Sequence, residues 1–206
     1  MNKKTLVGGG ALLVIGVVAG LGWAQAQQMG HGKGHGMHDG ANHAMMHGMM
    51  NAEGEHDVRT HMYMLEGKDT TDAEVEELAD MFTNHTDLTR SVELLPNGIK
   101  TITETENEAL RASLVSHVTG MIGRVDDKRD PEIFIQSPTL DILFERAEKI
   151  VTEITPTEKG VMVVQTSDDP EVVKALQVHS GEVSAMAERG MAPVHEAMMA
   201  NPDAYK

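Results

Sequence analysis

Hydrophobic and polar positions between residues 70 and 190 predict four helices and four strands. Apolar residues recur every three or four positions in the helical segments, and residues that favour strands fill the shorter segments between them. Asp72 is the expected N-cap of the first helix, and Asp168 or Asp169 that of the last, with Pro170 in its first turn. The predicted helices span 72–85, 107–126, 139–149 and 170–189, and the predicted strands span 91–95, 99–105, 150–155 and 161–166.

This succession of elements occurs twice, at a constant offset of 62 residues. A unit of roughly 55–60 residues with few aromatics is too small to bury a sheet face alone. We therefore expect one α+β domain over 70–190, in which duplicated α-β-β-α units (70–128 and 132–190) form a four-stranded antiparallel sheet. Its helices are expected on one face, about a pseudo-twofold axis. The matched positions include Leu78 and Leu140, Phe82 and Phe144, Gly98 and Gly160, Leu114 and Leu176, and His117 and His179.

His117 and His179 are the main candidate ligands in this domain, because each lies on the apolar stripe of a long predicted helix. One interpretation is a pair of buried neutral histidines bonded to backbone carbonyls. Another is a haem pocket with both imidazoles as axial ligands, and a third is a small metal site completed by Met121, Met186 or His85. Aromatic residues make up only 3% of the chain, which counts against the haem pocket.

The first 26 residues have the pattern of an export signal. Lys3 and Lys4 precede a mostly apolar run, and Ala24-Gln25-Ala26 supplies the small residues that signal peptidase recognises. A chain cleaved there would begin at Gln27 in a Gram-negative periplasm. The alternative is a retained membrane anchor, because the apolar run approaches the ~20 residues of a spanning helix.

Residues 27–69 form an arm rich in His, Met and Gly, predicted to be flexible. Imidazole and thioether donors without thiolate suit copper better than zinc or nickel, which gain little from thioethers. The alternative is a low-complexity spacer with no physiological ligand. The candidate ligands in the arm are His31, His35, His38, His43, Met45, Met46, His47, Met49, Met50, His56 and His61.

Composition excludes several classes of protein. The absence of cysteine rules out disulfides, thiolate zinc sites, iron–sulfur clusters and a Cys nucleophile. A formal net charge of -15 argues against nucleic-acid binding. The sequence contains no phosphate loop, nucleophile elbow or His-Glu-x-x-His run, so an enzyme is not favoured.

The C-terminal segment 191–206 repeats the donor types of the arm. Met191, His195 and Met199 are four residues apart, but Pro193 disturbs the helical turn that would align them. A short terminal helix with methionine filling the core is favoured over a copper site.

The stretches MFTNHTDLTRSVELLPNGIKTITETENEALRASLVSHVTGM and LFERAEKIVTEITPTEKGVMVVQTSDDPEVVKALQVHSGEV resemble an uncharacterised family of exported bacterial proteins. The resemblance implies secretion and the same duplicated unit, and it supplies no activity.

The sequence as a whole predicts a periplasmic, non-enzymatic copper-binding protein with a second site at His117, Met121 and His179. Its expected partner is another periplasmic metal-handling protein. The alternatives are a haem-binding or sensory module ligated by His117 and His179, and an interaction domain without a cofactor.

Overall fold

The computed structural model describes residues 58–205. Short 3-10 helices span Val58–Leu65, His85–Asp87, Ala147–Lys149 and Pro202–Ala204. The α-helices in this range are α1 (Asp72–Thr83), α2 (Glu108–Asp126), α3 (Thr139–Glu145), α4 (Pro170–Arg189) and α5 (Ala192–Ala200). The strands are β1 (Thr89–Leu95), β2 (Gly98–Glu104), β3 (Val151–Pro156) and β4 (Gly160–Thr166).

The four strands form one antiparallel sheet in the order β1-β2-β4-β3. The central strands β2 and β4 pair with Thr101 opposite Val163. Gly98 and Gly160 begin these strands, and a Cβ atom at either would collide with a backbone carbonyl oxygen of the facing strand. The predicted α+β class and the four-stranded antiparallel sheet are confirmed.

The helices form the second layer. α4 packs on β1 and β2, α2 packs on β4, α1 packs beside α2, and α3 packs beside α4. Ile99, Thr101 and Thr103 are buried along β2, whereas the residues between them are only partly buried. This alternation is expected when one face of a strand is covered more fully than the other.

Three helix boundaries differ from the prediction. The N-cap of α1 is Thr71 instead of Asp72, because Thr71 Oγ1 accepts a hydrogen bond from the Glu74 amide (3.3 Å) and the Glu74 carboxylate accepts one from the Thr71 amide (2.8 Å). The predicted helices 72–85 and 139–149 end earlier, at Thr83 and Glu145, and each is followed by a 3-10 turn. The cap of α4 is Asp169, as expected, with Pro170 in the first turn.

The buried guanidinium of Arg124 in α2 forms ion pairs with Asp69, which precedes α1, and with Glu74, which belongs to α1. Arg124 is only 3% exposed, and its guanidinium lies 2.7 Å from Asp69 Oδ1 and 2.6 Å from Glu74 Oε1. The Arg124 hydrogen bonds lower the pKa of Glu74 from 4.5 to about 2. The Glu74 carboxylate therefore remains ionised beside the arginine at neutral pH.

Within residues 58–205, no helix has the length and apolar character needed to cross a membrane.

Candidate functional site

A cavity of about 450 Å³ lies between the sheet and the helical layer. Ile99, Thr101 and Val163 line it from the central strands. His117 lines it from α2 and His179 from α4, so the structure brings the two predicted site histidines into one cavity. The volume falls in the range of ~300–1,000 Å³ that is typical of pockets for small organic ligands.

His117 is held as a neutral imidazole. Burial lowers its pKa from 6.5 to about 4, and nearby His179 lowers it further, whereas Glu74 acts in the opposite direction. A neutral ring keeps a nitrogen lone pair, which is the form that binds a metal ion or haem iron. The structure thus gives His117 the protonation state that a ligand needs at neutral pH.

His179 faces a carboxylate of its own helix. Its Nδ1 atom lies 3.5 Å from Glu182 Oε2, and the other carboxylate oxygen, Oε1, accepts hydrogen bonds from Ser137 Oγ (2.7 Å) and Thr139 Oγ1 (3.2 Å). Burial opposes ionisation of Glu182, but the contacts with His179 and Ser137 outweigh it and lower the pKa of this carboxyl. Carboxylates in this position orient ligating histidines in many metal sites.

The contact between Glu182 and His179 was not predicted from the sequence. The spacing of Glu182 relative to His179 was visible, but acidic residues on a helix surface are usually solvated, and nothing local marks this one. Ser137 and Thr139, which hold the carboxylate, belong to the segment around the start of α3 and reach Glu182 only in the folded chain.

A third imidazole and three thioethers line the same cavity. His85 Nδ1 lies 3.3 Å from the Ala187 carbonyl oxygen, and Gly190, with φ at +60°, lets the chain pass directly against the ring. In residues 58–205, no three His, Asp or Glu side chains are grouped closely enough to hold a metal ion by themselves. The lining methionines are Met81, Met121 and Met186.

Aromatic side chains are concentrated at this cavity despite their scarcity in the chain. Phe82 from α1, Phe144 from α3 and Tyr205 near the C-terminus all line it, whereas Phe134 is 40% exposed elsewhere. Much of the remaining lining comes from Leu, Ile, Val and Met side chains. The shortage of aromatics noted in the composition therefore does not extend to the cavity walls.

One cationic residue, Arg90 of β1, also lines the cavity. Its Nη1 donates to Thr103 Oγ1 (2.6 Å) and its Nε donates to Ser184 Oγ (3.3 Å). Burial lowers the pKa of Arg90 to about 10. The sequence did not mark Arg90 as a site residue, because it precedes the predicted strand 91–95 and an arginine there is usually a solvated surface residue.

The C-terminal methionines serve the core. Met191 and Met198 are buried with Val194 of α5 in a cluster that includes Phe82, whereas Met199 is 48% exposed. The segment contains the short helix Ala192–Ala200, and Met191 and Met198 fill the core.

The predicted ligands of the arm lie almost entirely outside the described residues. His61 belongs to the 3-10 helix Val58–Leu65. The remaining ten are His31, His35, His38, His43, Met45, Met46, His47, Met49, Met50 and His56.

Comparisons of this chain with known protein families, with curated proteins and with solved structures found no match.

Proposed function

We propose that the domain binds haem, with His117 and His179 as axial ligands of the iron. The observation that carries this proposal is that both imidazoles line a single cavity of about 450 Å³. A bare copper ion would need far less space, whereas an organic macrocycle needs a cavity of this order. The geometry of the described residues thus favours the haem alternative over copper for this domain.

The side chains around the cavity suit that ligand. His117 is neutral, and the Glu182 carboxylate lies 3.5 Å from His179 Nδ1, where it would orient the ring, so each histidine would present a nitrogen to iron. Phe82, Phe144 and their aliphatic neighbours would pack on the faces and edges of the macrocycle. Two histidine ligands would leave no coordination position open for oxygen, which would suit electron transfer, storage or sensing better than oxygen chemistry.

The backbone supports the proposed duplication, which would relate the two histidines by a pseudo-twofold axis. Thr105 N donates to Lys159 O (3.0 Å), and Ser167 N, 62 positions after Thr105, donates to Asn97 O (2.9 Å). The central pair Thr101 and Val163 differs by the same offset. His117 and His179 would then occupy equivalent positions on the two long helices.

Copper binding is our second candidate function, and the composition of the arm supports it. The His and Met composition of residues 27–64 favours copper capture, and Met81, Met121 and Met186 place further thioethers along the cavity. In this proposal the exported protein would work in the periplasm, exchanging copper with another metal-handling protein. His117, Met121 and His179 would form the second site.

Titration with hemin and with Cu(I) tests the two candidates separately. We expect the purified chain from residue 27 onward to bind one hemin, and His117→Ala or His179→Ala to weaken this binding while Cu(I) capture by the arm persists. A chain carrying His43→Ala, Met45→Ala, Met46→Ala and His47→Ala should lose Cu(I) affinity and keep hemin binding. If the wild-type chain binds no hemin at micromolar concentration, the haem proposal fails.

A further inference from the structure

Arg90 differs from the other arginines of this acidic chain. The sequence has seven arginines, and the other six each have a carboxylate oxygen within 4 Å: Arg59, Arg111, Arg124, Arg129, Arg146 and Arg189. Within the described part of the chain, no carboxylate lies that close to the Arg90 guanidinium, which is bonded only to the hydroxyls of Thr103 and Ser184. Removing a charged group from water without an opposite charge is costly.

The position of Arg90 joins this unusual charge to the cavity. Arg90 pairs with Thr103 across β1 and β2, and both residues line the cavity beside Thr101. Two of its nitrogens, Nη1 and Nε, are fixed by hydroxyls, which hold the planar guanidinium in one orientation. Its Nη2 atom has no hydrogen-bond partner among residues 58–205, so the group can still donate to a ligand oxygen.

We propose that Arg90 binds a carboxylate of the ligand held in this cavity, so that the ligand is an amphipathic acid with an apolar skeleton. This inference rests on the proposed function for the identity of the skeleton, since haem carries two carboxylates on an apolar macrocycle. Arginine suits a carboxylate because a hydrogen bond between two charged groups is stronger than one between neutral groups. The ligand would supply the negative charge that the protein does not place beside Arg90.

Arg90 would also fix the orientation of the ligand. His117 and His179 are matched at the offset of 62 residues, but the position matched to Arg90 is Thr152, which is uncharged. A pair of equivalent histidines alone would accept the ligand in two orientations. A single cation on one side would favour the orientation that brings the carboxylate to β1.

The test compares two iron porphyrins: hemin, which carries carboxylates, and iron octaethylporphyrin, which carries none. We expect Arg90→Gln to weaken hemin binding about 10- to 100-fold, to leave iron octaethylporphyrin binding unchanged, and to be partly rescued in Arg90→Lys. Arg111→Gln, an arginine change outside the cavity lining, is the matched control. Equal hemin affinity in wild type and Arg90→Gln, or an equal loss for both porphyrins, would overturn the proposal.

A second pair of probes separates this inference from the haem proposal. Oleate and oleyl alcohol share an apolar chain and differ in the carboxylate, and each can be tested by displacement of a fluorescent apolar dye. If wild type binds neither porphyrin, the haem proposal fails, and Arg90-dependent preference for oleate over the alcohol would still support the carboxylate site. If oleate shows no such preference either, the role of Arg90 is overturned as well.

The stability of the ligand-free chain shows whether Arg90 acts merely as a structural residue. Arg90→Gln removes a desolvated charge that has no carboxylate partner. The urea midpoint of this variant should therefore equal or exceed that of the wild-type chain. A large fall in the midpoint would assign Arg90 to the framework and contradict a ligand-binding role.

Discussion

His179 Nδ1 lies 3.5 Å from Glu182 Oε2, one helical turn further along α4. The other carboxylate oxygen accepts hydrogen bonds from Ser137, just before α3, and from Thr139 at its start, so these two hydroxyls hold Glu182 beside the ring. The opposite nitrogen of the ring, Nε2, is the one this arrangement would leave for iron.

The first prediction concerns this orienting contact. Glu182→Gln removes the negative charge beside His179 while keeping the shape of the side chain, and we expect hemin affinity to fall about 10- to 100-fold. Absorption titration with hemin measures the change. Glu188→Gln, on the exposed surface of the same helix, is the control and should bind like wild type. Equal affinity in Glu182→Gln and wild type would contradict the orienting role.

The second prediction concerns the two glycines at the ends of the central strands. A Cβ atom at Gly98 would collide with the Gln165 carbonyl oxygen, and one at Gly160 with the Thr103 carbonyl oxygen. Gly98→Ala and Gly160→Ala should therefore each lower the free energy of unfolding by at least about 2 kcal/mol, measured by urea denaturation.

Two helical glycines provide the control for that experiment. Gly120 in α2 and Gly181 in α4 have nothing within 4 Å of an added Cβ atom. Gly120→Ala and Gly181→Ala should leave stability unchanged or raise it by about 0.5–1 kcal/mol, because alanine favours the helix. If Gly98→Ala and Gly160→Ala are as stable as Gly120→Ala and Gly181→Ala, the close approach of β2 and β4 at these two glycines is wrong.

The third prediction concerns the buried ion pair of Arg124. Arg124→Met leaves Glu74 without its cation and Asp69 with only the exposed Arg129. The free energy of unfolding should fall by about 1.5–3 kcal/mol, because the charge-assisted hydrogen bonds of the buried guanidinium are lost. Arg189→Met, which separates an exposed pair with Glu196, should shift the urea midpoint little. A similar small shift for both variants would mean that the Arg124 pair contributes no more than a surface contact.

The fourth prediction concerns acid stability. The pKa of Glu74 is about 2 in the folded chain, against an ordinary value of 4.5 that applies to the unfolded chain. As the pH falls, the Glu74 carboxylate is therefore protonated in the unfolded chain before it is protonated in the folded chain. The stabilisation from Glu74 should be complete above pH 4.5 and lost as the pH falls towards 2. Urea midpoints across this range should fall more steeply in wild type than in Glu74→Gln. Parallel slopes for the two proteins would contradict the shift.

The regular elements were predictable from sequence because they depend on local patterns. The Pro96-Asn97-Gly98 turn and the apolar spacing of the helices are visible in the chain itself, and the strands they predict are present in β1 and β2. The capping error arose because Thr71 and Asp72 are adjacent and both can cap. The structure uses Thr71, since that choice puts Glu74 at the third helical position, where its carboxylate returns to the Thr71 amide.

The candidate site was predictable only in part. His117 and His179 were identified because they repeat at a fixed offset on apolar stripes. Arg90 and Glu182 were not, because their significance comes from contacts with Ser184, Thr103 and Ser137 that only the folded chain creates. The copper ligands of the arm lie outside the described residues and stay a prediction.

Spectroscopy of axial-ligand variants tests the central claim most directly. The wild-type chain with one equivalent of hemin should show the spectrum of six-coordinate, bis-imidazole iron. His117→Gly and His179→Gly should each lose that spectrum and regain it when free imidazole is added, whereas His195→Gly should behave as wild type. A wild-type spectrum in the double variant His117→Gly/His179→Gly without added imidazole would contradict the account.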